Sequence, residues 1–415
     1  MYRTIFIGMT GLLGFAAMAA ATTPLPTQSQ PGHSAIQRGL YLVKAGDCAA
    51  CHTADGGKPF AGGRAVPTPF GVIYSTNITP DKDTGIGKWT EAGLYRAMHS
   101  GIDRQGNHLY PAFPYPWYTK VTPGDVRAIH AYLGTLTAVR QVDRKNKLPW
   151  PLTMRSGLAV WNKMYLKQGT FAGNANKSAP WNRGAYLVNG LGHCGACHTK
   201  KNFAGAVKTD QAFQGGMGEN AFAPSLAGDM RDGLGGWTVA DIVEYLKTGS
   251  NDKSSAAGPM AEVVHDSTQY LTDADLTAIG TYLKDVPRIG SKANGNEAGN
   301  NQMTQGAAVY ADDCTGCHMD GGQGMAHVFP PLKGSAAIQA KKPDTIINVV
   351  LGGAAIPVTT TKPTGLKMPN FHDKLDNAQV AAVVTYIRNA WGNRASSVSA
   401  GDVADMRKQM RQKGD

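Results

Sequence analysis

All six cysteines of this 415-residue chain fall in three copies of one pattern: Cys48-Ala49-Ala50-Cys51-His52, Cys194-Gly195-Ala196-Cys197-His198 and Cys314-Thr315-Gly316-Cys317-His318. Two thiols three positions apart can each form a thioether to one vinyl edge of a haem, and the histidine that follows is placed to bind the iron. A zinc site, a thioredoxin-like redox pair or a structural disulfide would account for the cysteines, but none requires a histidine after every second one. The pattern predicts three covalent haem c groups held by Cys48, Cys51, Cys194, Cys197, Cys314 and Cys317, with His52, His198 and His318 as axial iron ligands. The 51 glycines and 23 prolines imply much irregular loop. A macrocycle serving as part of each core lets so loop-rich a chain fold.

The N-terminus agrees with export. Arg3 precedes an apolar run from Ile5 to Ala21 that ends in small residues, so residues 1–21 read as a secretory signal peptide rather than a single membrane anchor. No later stretch has the apolar length of a transmembrane helix, and the mature chain is expected to be soluble or peripherally bound. The formal charge is +11, or +10 once Arg3 leaves with the signal. That balance favours an acidic partner surface or anionic lipid headgroups. Nucleic acid is not an expected partner of an exported chain without a nucleic-acid motif. No serine, carboxylate or lysine constellation points to hydrolysis or group transfer.

Internal repetition sets the architecture. Gly39-Leu40-Tyr41-Leu42-Val43 recurs as Gly184-Ala185-Tyr186-Leu187-Val188 and, more loosely, as Gly306-Ala307-Ala308-Val309-Tyr310. Each reads as a short helix with its Tyr and aliphatic residues turned inward. Trp89-Thr90 and Trp237-Thr238 open a second helix, replaced by Pro343-Asp344 in the third repeat. Thr122, Thr272 and Asp376 are candidate N-caps of closing helices, with Asp125, Asp275 and Gln379 in the reciprocal capping-box position. Tyr132-Leu133, Tyr282-Leu283 and Tyr386-Ile387 on those helices are expected to pack on the first helix. The repeats define domains at 33–145, 181–289 and 303–395. Between them lie a basic, aromatic-rich connecting segment, 146–180, and a Gly/Asn/Ser-rich linker, 290–302. Residues 146–180 hold five basic and no acidic side chains, with aromatics that a solvated spacer would not need. The C-terminal tail, 396–415, carries Val403, Met406 and Met410 on one helical face and is a possible peripheral membrane contact.

An iron bound by one histidine needs a sixth ligand, and a Met thioether favours Fe(II) and raises the potential. Met368, before the closing helix, suits the third site. Met260, in Gly258-Pro259-Met260, suits the second; Met217 and Met230 precede the helix expected before the ligand loop. The first repeat has Phe113 where the others place Met. There Met98 is the leading candidate, with His99 and His108 as imidazole alternatives. Proximal histidines usually donate their second ring N–H to a carbonyl, and Pro224, Pro330 and, more weakly, Pro69 are the expected acceptors.

Taken with Tyr110-Pro111-Ala112-Phe113-Pro114-Tyr115, Trp181-Asn182-Arg183-Gly184 leading to Gly192-His193-Cys194, Gly258-Pro259-Met260-Ala261-Glu262-Val263 and Trp391-Gly392-Asn393, the chain resembles the triple-haem cytochrome c subunits of bacterial membrane-bound dehydrogenases of the alcohol, aldehyde, gluconate and fructose type. The resemblance covers essentially the whole mature chain. It implies a mainly α fold of three tandem class I cytochrome c-like domains, and a non-catalytic electron-transfer subunit at the outer, periplasmic face of the cytoplasmic membrane. It also implies a separate catalytic subunit with a quinone, flavin or molybdenum cofactor, and ubiquinone as acceptor. The competing expectations are a self-sufficient multihaem peroxidase or reductase with an open first haem, and a freestanding periplasmic shuttle.

Overall fold

The computed structural model describes residues 34–218, 221–290 and 298–414; the leader 1–21 and most of the 290–302 linker lie outside them. A similar order of helices recurs three times along the chain. The first such unit holds α1 (Ala35–Ala45), α2 (Cys48–His52), the hairpin of β1 (Ala65–Thr68) and β2 (Gly71–Tyr74), α3 (Glu91–Ser100), α4 (Tyr115–Tyr118) and α5 (Pro123–Leu133). A bridging helix α6 (Gly157–Tyr165) leads to α7 (Ala179–Asn189), α8 (Gly195–His198), β3 (Gly216–Gly218), β4 (Ala221–Ala223), α9 (Val239–Thr248), α10 (Pro259–Asp266) and α11 (Asp273–Lys284). The last contains α12 (Asn300–Asp313), α13 (Thr315–His318), α14 (Asp344–Gly352), β5 (Ala354–Ala355), β6 (Lys367–Met368), α15 (Asn377–Asn389) and α16 (Ala400–Gly414).

In every unit the first helix crosses the closing helix at a glycine. A Cβ on Gly39 would lie 2.0 Å from Ala128 O, one on Gly184 1.9 Å from Ala278 O, and one on Gly306 2.2 Å from Ala382 O. Only a residue without a side chain allows backbones so close. Tyr132, Tyr282 and Tyr386 cover these crossings with their Cβ atoms, as the aromatic-aliphatic pairs on the closing helices led one to expect.

Among the described residues the buried apolar side chains form two clusters. One runs without a break through the first two units and includes Leu42, Val126, Leu187 and Leu276; the other belongs to the third and includes Tyr310, Ile347 and Val384. A reciprocal polar joint explains the continuity. Arg183 grips Asp275 with two bonds of 2.8 and 2.7 Å, and Tyr41 of the first unit donates to the same carboxylate at 2.5 Å. In mirror fashion Arg38 pairs with Asp125, and Tyr186 of the second unit donates to it at 2.5 Å. Burial, then the neighbouring Asp275, pushes the Tyr41 hydroxyl up to about 12. The corresponding third-unit positions are Gln305, Ala308 and Gln379, which cannot build such a joint.

Two expectations need correction. Thr122 and Thr272 do cap their helices, but Asp125 and Asp275 turn away to Arg and Tyr partners instead of closing reciprocal boxes; Asp376 and Gln379 do close one. The tail is not a free amphipathic strip either. As α16 it lays Val403, Met406 and Met410 against the core of the third unit, and Arg407 clamps it to Asn377 Oδ1, His372 O and Leu375 O at 2.6 to 2.8 Å.

Candidate haem sites

Each CxxCH motif forms a single helical turn just after the first helix of its unit. The turn sets both sulfurs and the imidazole on consecutive sides of one short backbone segment. His198 Nδ1 donates to Pro224 O at 2.7 Å and His318 Nδ1 to Pro330 O at 3.1 Å. In the first unit the acceptor is Thr76 O, at 2.6 Å, not a carbonyl near Pro69. The β1–β2 hairpin puts Pro69 at its tip, so the chain returns to the histidine only after β2. Because a carbonyl can only accept, the proton sits on Nδ1 and the Nε2 lone pair is free to bind iron. Burial pushes all three imidazoles below their usual range, against the opposing effect of these bonds.

The thiols argue the same way. All six are free. Burial pushes the Cys48 and Cys194 thiols up to about 12 and that of Cys314 up to about 11, whereas a redox nucleophile has a lowered value. Among the described residues no group of three or more His, Cys, Asp or Glu side chains is arranged to hold a bare metal ion. These residues fit an iron that brings its own equatorial ligands.

A mainly apolar cavity of ≈ 1150 Å³ passes Cys51, Cys194, His198, Cys317 and His318, and both Met260 and Met368 line it. Met260 sits in the first turn of α10 and Met368 on β6, each half-buried. Of the rivals, Met230 is 63% exposed and outside this lining, whereas Met217, on β3, lines the same cavity. Met98 and His52 lie outside this lining. Met98 is 4% exposed within the shared core, against which Phe113 also packs. The imidazole alternatives are engaged elsewhere. Both nitrogens of His99 meet hydroxyls, Thr119 and Thr170, at 3.4 Å. Asn162, its amide oriented by the Tyr115 hydroxyl at 2.6 Å, donates to His108 Nδ1 at 3.2 Å and so puts that ring's proton on Nε2.

One contact was invisible in the sequence. Tyr118 donates to Gly46 O at 3.0 Å, beside the first motif, and stacks on His193, beside the second, with centroids 5.7 Å apart. Only the pairing of the units brings them together.

The cytochrome c family model matches residues 36–137 and 303–391. The chain is 40% identical over 437 residues to the gluconate 2-dehydrogenase cytochrome c subunit of Pantoea cypripedii, across 98% of this chain and 96% of that one. It is also 40% identical to the cytochrome c subunits of the quinone alcohol dehydrogenases of Gluconacetobacter polyoxogenes (93% and 87% covered) and Gluconobacter oxydans (90% and 82% covered).

Proposed function

The chain belongs to the cytochrome c subunits of bacterial membrane-bound dehydrogenase complexes, and on that premise we propose that it is the electron relay of such a complex. A separate dehydrogenase subunit oxidises the substrate, and this chain passes the electrons to membrane quinone from the periplasmic side, without a substrate site of its own. Haem iron supplies one-electron exchange between its ferric and ferrous states. The protein residues fix the rest. We assign three tandem class I cytochrome c-like domains at 33–145, 181–289 and 303–395, with His52, His198 and His318 as proximal ligands and Met98, Met260 and Met368 as distal ones. Met98 is preferred in the first because both ring nitrogens of His99 and the Nδ1 of His108 already meet polar partners.

The observation that carries this reading is the recurrence of CxxCH with a Nδ1–carbonyl bond in every unit. It is tested by a pyridine haemochrome assay, expected to give three haems per polypeptide, and by assaying the isolated chain. That chain should be oxidised by quinone analogues after dithionite reduction yet turn over no alcohol, aldehyde or sugar acid. Substrate turnover by the chain alone would sink the assignment.

A further inference from the structure

α16 spends its apolar face on the third unit, whereas the connecting segment keeps apolar side chains exposed. The inner face of α6 spans the seam between the first two units. Trp161 Nε1 donates to Ala204 O at 2.9 Å, and its ring stands edge-on to Tyr115 at 6.3 Å. The outer face has no such partners. Val160 and Met164, one turn apart, are 61% and 63% exposed, with Lys163 exposed between them. Phe203, adjoining the Ala204 that Trp161 holds, is 91% exposed. Upstream, Trp150 is 79% and Met154 52% exposed, on a stretch tied down by Tyr110 donating to Leu152 O at 2.9 Å.

So many exposed apolar side chains on this segment and the adjoining Phe203 loop are costly in water and mark a contact surface. Its charge identifies what it contacts. Segment 146–180 has no carboxylate, and Lys163, Lys167 and Lys201 stand exposed beside the apolar residues. Protein interfaces are depleted in lysine, whereas aromatic and aliphatic side chains mixed with lysines suit the headgroup layer of an anionic membrane. Trp161 and Tyr165, on the inner face, line the cavity shared with Cys51 and Cys194.

We propose that the face formed by Trp150, Met154, Val160, Met164 and Phe203 rests on an anionic phospholipid surface. This sets the cavity between the first two units against the layer in which quinone is dissolved. The proposal rests on the relay reading for its purpose, but its test does not depend on electron transfer.

The haem-loaded mature chain is sedimented with phosphatidylglycerol/phosphatidylcholine vesicles and with phosphatidylcholine vesicles alone. Binding should require the anionic lipid and weaken with salt. The variant Val160→Asn, Met164→Gln, Phe203→Ser should bind at least tenfold more weakly with an unchanged haem spectrum. Lys163→Glu with Lys167→Glu, exposed positions that leave the fold intact, should lose binding in the same assay. Unchanged vesicle binding by both variants overturns the proposal. So does intact vesicle binding with lost co-purification of the catalytic subunit, which would make this a protein interface. Failure of the wild type to exchange electrons with quinone would refute the relay and leave the lipid result standing.

Discussion

Tyr186, on α7, donates a 2.5 Å hydrogen bond to the buried carboxylate of Asp125 on α5 of the preceding unit. The same carboxylate is held by Arg38 from its own unit. Removing the hydroxyl therefore weakens the joint between units while leaving each helix crossing intact. Tyr186→Phe should lower stability by about 1.5–3 kcal/mol, the range for a hydrogen bond to a charged group. Tyr41→Phe should do likewise, both read by denaturant titration.

Acid should loosen the same joint. Burial acts to raise the Asp275 carboxyl, but the bonds and charge of Arg183 outweigh it and hold the group below its ordinary value. The folded chain thus binds fewer protons there than the unfolded chain. The contribution is complete above the unfolded carboxylate value of roughly 4 and is lost as pH falls through the lower folded value. Asp275→Asn should flatten the acid limb of a stability-versus-pH curve; an unaltered limb would remove Asp275 from the account.

The glycine crossings allow a sharper stability test. Gly306→Ala would press a methyl group to within 2.2 Å of Ala382 O, and overpacking of this kind costs about 1–3 kcal/mol. A thermal melt of the haem-loaded protein should show the third unit loosening first, because its core is separate from that of the other two.

Ligand substitutions report on individual irons. Met368→Leu should keep three attached haems but lower one midpoint potential, since a hydrocarbon cannot stabilise Fe(II) as a thioether does. Met98→Leu should remove one Met–iron band from the near-infrared magnetic circular dichroism spectrum. If the wild type shows only two such bands, Met98 is an apolar core residue and nothing more.

The motifs, the repeats and the helix starts were legible because each is written in a few adjacent residues. Thr238 and Asp241 form the capping box that their spacing implies. Thr122 and Asp125 have the same spacing and do not, because Arg38 and Tyr186 offer Asp125 stronger partners than the helix terminus. Local sequence cannot distinguish these cases, since the competing donors lie 87 and 61 positions away. Thr76 escaped notice for a related reason: a short hairpin that no turn motif announced moved the carbonyl past Pro69. The tail is amphipathic in its sequence, yet amphipathicity does not say whether the apolar face meets lipid or the protein itself.

Tyr41 finds its carboxylate 234 residues further along the chain. A polypeptide threaded outward from its N-terminus therefore exposes Tyr41 well before its partner Asp275 has arrived, although Gly39 and Arg38 can already seat α1 on α5. Tyr186 has no such wait, because Asp125 has already emerged ahead of it. On this joint the earliest-made unit waits longest for its partner carboxylate.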